Sequence, residues 1–328
     1  MVQNLLMGIG AGAASTMLLL AAVYGPPSAI VLVIFAGLPL LIAAIGWSHR
    51  AALAGIAVMA ILLGMTLQSF LATGTVVLTI GVPAWWLGYL TLLARPGAAA
   101  GSLEWYPSGN LVVWCALLAA ATVVLAIPFY GTDEASVQAA MRSAFERAMR
   151  MRSGTPADQQ VVIPGVSDPG PFIELLVIIA PLVSAAIGTA VNLLNLWLAG
   201  VVTRVSGRLN RPWPDIPSMR FPAYAFAIAA VSLALSFVSG ILGMVAGIVA
   251  TAMLVAYAVL GLAVFHAVTR GMKNRGFIVG VFYVGLFLLS ARQGWPIMIV
   301  TLIGFADALF NLRARLAAWR GLPPPAHT

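Results

Sequence analysis

The chain has 328 residues, of which 62% are hydrophobic and only 8% charged, against about 25% charged in a soluble domain. That deficit, with a mean hydropathy of +1.02, excludes an ordinary water-soluble domain and predicts an all-helical, polytopic membrane bundle. The net charge of +8 does not call for nucleic acid, because the arginines stand at the ends of apolar segments rather than in one patch.

Segment one runs over residues 5–23 and stops at Tyr24-Gly25-Pro26-Pro27, where proline cannot continue a helix. No Lys or Arg precedes it, so it reads as a retained helix rather than a cleaved signal peptide. Gly8 and Gly12 are four apart, as are Gly10 and Ala14, so each pair lies along one face where another helix can approach closely in lipid. Such a face packs against the chain's own helices, the commoner use, or against a partner subunit. Segment two, 29–46, carries Pro39 as a kink. Segment three, 51–71, ends in the polar cluster Thr66, Gln68 and Ser69, and segment four, 75–93, carries GVPAWWLGYL. Trp85, Trp86 and Tyr89 either line a pocket or anchor the helix at the interface, the commoner role of such rings. Segment five, 111–128, holds the one cysteine, Cys115, read as a small core residue.

Residues 129–171 are the one long polar insert. Val137, Met141, Ala144, Phe145 and Ala148 recur there at helical spacing, which predicts an amphipathic helix on the membrane surface or capping the bundle. Asp133 and Glu134 suit the positive end of its dipole. The remainder, SGTPADQQVVIPGVSDPG, is turn-rich and expected to be irregular.

Segment six is the apolar run from Phe172, and it ends in a basic, proline-rich elbow, TRVSGRLNRPWPDIPSMR. Arg204, Arg208, Arg211 and Arg220 stand there against a single acid, Asp215. Segments seven, 222–238, and eight, 243–268, are joined through Ser239-Gly240, and Gly243 and Gly247 repeat the small-residue pattern. Segment nine, 277–290, is short for a crossing. Segment ten, 295–311, leads to Arg313, Arg315 and Arg320, and the tail 321–328 reads as disordered.

About ten crossings put both ends of the chain on one side. The basic connections at His49-Arg50, Arg95, the elbow, Arg270 to Arg275 and Arg313 to Arg320 then share that side, which predicts an N-in, C-in arrangement with the insert outside. The organisation expected is an N-terminal bundle over 1–128, an extracytoplasmic insert over 129–171, a C-terminal bundle over 172–320 and the tail. A bacterial inner membrane is the expected setting.

Within the apolar spans Glu174 and Asp307 are expensive in lipid, so each needs a partner or a cavity. Asp307 is expected to pair with an arginine at the inner surface, and Glu174 to stand solvated at a helix start. Asn192 and Asn195 share a face of segment six and either hydrogen-bond between helices or line a polar pocket. The candidate polar pocket is therefore Glu174, Asn192, Asn195, Gln68 and Asp307. His49, His266 and His327 are scattered with no metal-ligand spacing, no G-x-x-x-x-G-K-[ST] is present, and no serine has a His–Asp constellation beside it. No cofactor is expected, and an enzyme ranks below transport or assembly.

The arginine-rich elbow with Trp213, the following MRFPAY, the apolar hairpin and the closing GFADALFNLRAR, together with GVPAWWLGYL, resemble the YybS-like family of bacterial membrane proteins. That family is distantly similar to the substrate-binding S components of energy-coupling-factor transporters. The resemblance implies a membrane protein that captures a small molecule and associates with a membrane coupling subunit and ATPases through small-residue faces on its first helix. S components typically have about six helices, so no ligand residue carries over. The functional expectation is a non-enzymatic, transport-related protein, the binding subunit of a small-molecule uptake system. The alternatives are a membrane scaffold or assembly factor acting through the insert, and a secondary transporter with broken helices at mid-membrane.

Overall fold

The structure is a computed structural model that describes residues 2–97, 101–154 and 168–319. It is an all-α bundle whose elements follow the apolar runs. Helix α1 (Val2–Tyr24) is followed by a 3-10 helix (Pro27–Phe35) and α2 (Leu38–Gly46), and α3 covers His49–Leu67. Pro39 stands in the first turn of α2, where its missing N–H costs nothing. The fourth apolar run is divided into α4 (Phe70–Val76), a π-helical turn (Val77–Gly81) and α5 (Val82–Thr91), the change falling just before Pro83. A two-stranded hairpin, β1 (Ala94–Pro96) and β2 (Leu103–Trp105), pairs Arg95 with Glu104 and leads to α6 (Ser108–Ala126).

The insert helix is α7 (Glu134–Ser153), and α8 (Pro169–Val205) then runs for 37 residues. At 1.5 Å per residue α8 is about 55 Å long, well beyond the roughly 30 Å of a hydrocarbon core. It starts before Phe172 and takes Thr203 and Arg204 into its last turn, so the first of the elbow residues are helical. Helices α9 (Ala223–Leu235), α10 (Ile241–Val268), α11 (Arg275–Arg292), α12 (Trp295–Phe310) and α13 (Leu312–Trp319) complete the chain. Among the described residues, eight helical runs are long and apolar enough to cross a membrane, and α9 and α12 are shorter apolar helices. The turn-rich part of the insert, 155–167, and the tail, 321–328, lie outside the described residues.

Two apolar cores hold the bundle. One draws Leu40, Leu41, Met59, Leu63 and Leu87 from α2, α3 and α5; the other draws Val113, Ile248, Met253, Tyr257 and Leu260 from α6 and α10. Helix α6 gives Cys115 to the first core and Val113 and Ala116 to the second, and Leu193 of α8 touches both.

Backbone contact through small residues fixes two of the crossings. A Cβ on Gly8 would fall on the Ala51 carbonyl, and one on Gly12 would fall on the Gly55 carbonyl, so α1 and α3 pack main chain to main chain. Gly261 of α10 and Gly304 of α12 do the same against Val300 and Tyr257.

The basic connections gather at one end. Asn4 donates to Ser48 Oγ, Arg208 lies 4.3 Å over the Trp47 ring, and Arg211 reaches the carbonyls of Thr91 and Tyr106. Arg270 pairs with Asp215, and Arg313 donates to the Pro217 carbonyl. At the other end α7 is tied to α8 by Arg142–Glu174 and to the start of α10 through Glu134.

Candidate functional site

The five polar residues nominated from the sequence are not brought together; each hydrogen-bonds to a different element. Glu174 takes the Arg142 guanidinium at 2.7 Å on an exposed surface. Asn192 donates to the Cys115 carbonyl of α6 at 3.1 Å, and Asn195 donates to the Ile34 carbonyl in the 3-10 helix at 2.7 Å. These are bonds between helices, and the Asn195 Oδ1 is left buried without a partner. Glu174 and Asn192 are also about 27 Å apart along α8 by helical rise. Gln68 is the left-handed residue that ends α3, its side chain turned back to the Met65 carbonyl.

Asp307 is 3% exposed and accepts from Arg313 Nη2 at 2.6 Å, Arg313 Nε at 2.9 Å and the Arg313 backbone N–H at 3.0 Å. The left-handed turn at Asn311 folds α13 back so that residues six apart can meet. Of the small residues on α1, Gly8 and Gly12 face α3, whereas nothing lies within 4 Å of a Cβ on Gly10, and Ala14 is half-buried.

A cavity with polar side chains at its mouth lies at the α7 end. It has a volume of about 390 Å³, within the roughly 300–1,000 Å³ of small-molecule sites. Val177 and Pro181 of α8 form one wall, and Gly247 and Thr251 of α10 the other; Ser236 and Gly240 close the side, and Glu134 and Gln138 of α7 roof it. The walls are hollow for local reasons. Pro181 cannot donate to the Val177 carbonyl, and a side chain on Gly247 would crowd Leu182 at 3.2 Å. Gly240, at φ 90° and ψ −173°, makes a turn that only glycine adopts without strain.

The roof is positioned by helix capping. Asp133 caps α7 by accepting from the Ser136 backbone N–H, and Ser136 Oγ accepts from the Asp133 N–H in return. The next residue, Glu134, accepts from Gln138 Nε2 at 3.0 Å and from the Gly240 N–H at 2.7 Å. Its carboxylate thus stands at the positive end of the α10 dipole. A lining with one carboxylate, one amide and two hydroxyls, Ser236 and Thr251, among mostly apolar side chains can accept hydrogen bonds from a ligand whose body is apolar.

A family model described as "Predicted membrane protein (DUF2232)" matches residues 13–308. The chain belongs to the DUF2232 family. No curated protein and no solved structure matches it. The matched span includes every residue named in the cavity and Asp307, and it stops before Arg313.

Among the described residues no group of three His, Cys, Asp or Glu is placed to hold a metal ion. Trp85, Trp86 and Tyr89 stack on one another and meet His49 and Trp114 near the basic end, away from the α7 cavity. Sequence reasoning missed Glu134 and Gln138 as site residues. Their spacing of four on a capped helix was the available signal, since it puts both on one face.

Proposed function

We propose that this DUF2232 protein is a non-enzymatic, ligand-binding component of a small-molecule transport system in a bacterial inner membrane. Both ends and the basic connections lie in the cytoplasm, and the α7 roof lies outside. The clustering of Arg95, the elbow arginines, Arg270 and Arg313 at one end of the bundle supports this orientation through the positive-inside bias. The observation that carries the function is the cavity of about 390 Å³ beneath α7, with Glu134 and Gln138 at its mouth. It is a preformed compartment on the outer side, between helices, of the kind that receives small organic molecules. The ligand class that fits is an apolar body with a hydrogen-bond donor directed at Glu134.

The chain carries no G-x-x-x-x-G-K-[ST], so ATP-driven uptake through this site would draw on a separate coupling subunit with ATPases. Such a role would be like that of the S components, which the sequence distantly resembles. Gly10, the open small residue of α1, is the surface such a subunit would meet. Native mass spectrometry of the purified full-length protein tests the reading. The wild type is expected to retain a small organic molecule, and Thr251→Phe, which fills the cavity, is expected to lose it while eluting as the same species. A wild type that carries nothing, or a filled variant that still retains the molecule, contradicts it.

A further inference from the structure

A second cavity, of about 260 Å³, lies at the opposite end of the bundle under the elbow. The elbow is held down at several points. Arg204 lies 4.9 Å over the Trp213 ring, Arg208 lies over Trp47, Asp215 takes Arg270 at 2.6 Å, and Arg313 Nη1 donates to the Pro217 carbonyl at 2.6 Å. The space beneath is walled by apolar side chains, among them Leu111, Leu193, Trp197 and Met219, with Trp213 over it. Trp197 is half exposed on the side of α8, so the cavity reaches the flank of the bundle.

Arg211 is the one charged residue in that lining. Among the described residues its guanidinium has only main-chain acceptors, the Tyr106 carbonyl at 3.2 Å and the Thr91 carbonyl at 3.5 Å, and its buried Nε has no partner. Burial lowers its pKa below the ordinary arginine value. The nearby acids are already taken: Asp215 by Arg270, Asp307 by Arg313 and Glu104 by Arg95. Ser108, the first residue of α6, also lines the cavity, and that helix starts without a side-chain cap. A cation and the positive end of a 19-residue helix therefore converge on one apolar space whose lining includes no acidic side chain. A desolvated charge without a counter-charge is costly, and guanidinium pairs best with a planar or tetrahedral oxyanion.

We propose that the elbow cavity binds a single-chain anionic amphiphile, its carboxylate or phosphate at Arg211 and its hydrocarbon chain along Leu193, Trp197 and Met219. A volume just under the roughly 300 Å³ of the smallest drug-sized pockets takes part of one chain and not the two of a phospholipid. This site is distinct from the cavity beneath α7 and does not depend on a ligand there.

The test uses the full chain in nanodiscs of neutral phosphatidylcholine and follows quenching of tryptophan fluorescence by brominated amphiphiles. A brominated fatty acid, or the matching monoalkyl phosphate, is expected to quench saturably, and the brominated alcohol of the same length only by partition. Arg211→Gln is expected to weaken the acid by about tenfold or more, the loss of one charge-assisted contact. Gly200→Leu keeps Arg211 but drives a side chain towards Trp213, 3.5 Å from a Cβ at that position, and is expected to abolish saturation. If Arg211→Gln does not fold, Gly200→Leu and the acid-against-alcohol comparison decide. Equal quenching by acid and alcohol, indifference to Gly200→Leu, or saturation only by a two-chain anionic phospholipid overturns the proposal.

Discussion

Asp307 and Arg313 show how a single residue pair can fix a helix end in a bundle this apolar. Both are nearly fully buried, and Arg313 carries the link onward to the Pro217 carbonyl of the elbow. Removing one partner strands the other charge, so Asp307→Ala is expected to cost about 3–5 kcal/mol. Replacing both by apolar residues is expected to cost less, and unfolding in detergent of the single and double variants measures the difference. At the other extreme of polarity, Gly12 has no room for a side chain against Gly55, whereas Gly10 has open space. Gly12→Leu is expected to destabilise by at least about 1–3 kcal/mol through overpacking, and Gly10→Leu by much less. Equal effects in the same unfolding assay would mean that the α1–α3 crossing is not held by the main-chain contact.

Among the elements, α7 is the one whose attachment matters most, because it alone roofs the cavity between α8 and α10. Three polar features hold it: the cap at Asp133, the bond from Gly240 to Glu134 and the Arg142–Glu174 pair. The backbone and hydroxyl of Ser136 hold the Asp133 carboxyl below its usual range. A depressed carboxyl stabilises fully above its ordinary value of about 4 and loses that contribution as pH falls through the depressed one. Helix α7 is therefore expected to lose protection of its amide hydrogens, measured against their intrinsic exchange rate at each pH, as the solution is made acid, and Asp133→Asn to flatten that dependence. Glu134→Ala is expected to raise exchange in α7 and at the α9–α10 turn together; a rise in α7 alone would mean that the two are not coupled.

The helix itself was legible in the sequence, from the spacing of Val137, Met141 and Phe145 and from the acid pair before it. Its docking was not, because Glu174 and Arg142 are 32 positions apart and nothing local says that they meet. The same limit applies to Asn192 and Asn195. Their shared face could be read, but not the carbonyls they reach on α6 and the 3-10 helix. Asp307 and Arg313 were legible as partners since only a short turn separates them. The broken fourth run was legible only as the presence of Pro83, because a π-turn has no sequence period of its own.

On the scale of the molecule, the chain has two unlike ends. The arginine-rich end is closed by the elbow over an apolar cavity with a lone cation. The other is roofed by α7, whose Glu134 faces a cavity between α8 and α10. Composition alone announced the membrane bundle, and the periodic arginines announced which connections belong together; the structure adds that those connections touch. The two ends must lie on opposite faces of the membrane for the outer cavity to receive a ligand from outside.

Thiol labelling tests this most directly. Single cysteines at Ser143 on the exposed side of α7 and at Asn210 on the elbow, in a Cys115→Ala background, are treated with a membrane-impermeant maleimide. In intact cells with a permeable outer envelope, Ser143→Cys is expected to label and Asn210→Cys to stay unlabelled, with the reverse in inside-out vesicles. Labelling of Asn210→Cys from outside, or of both positions from one side, would contradict the account.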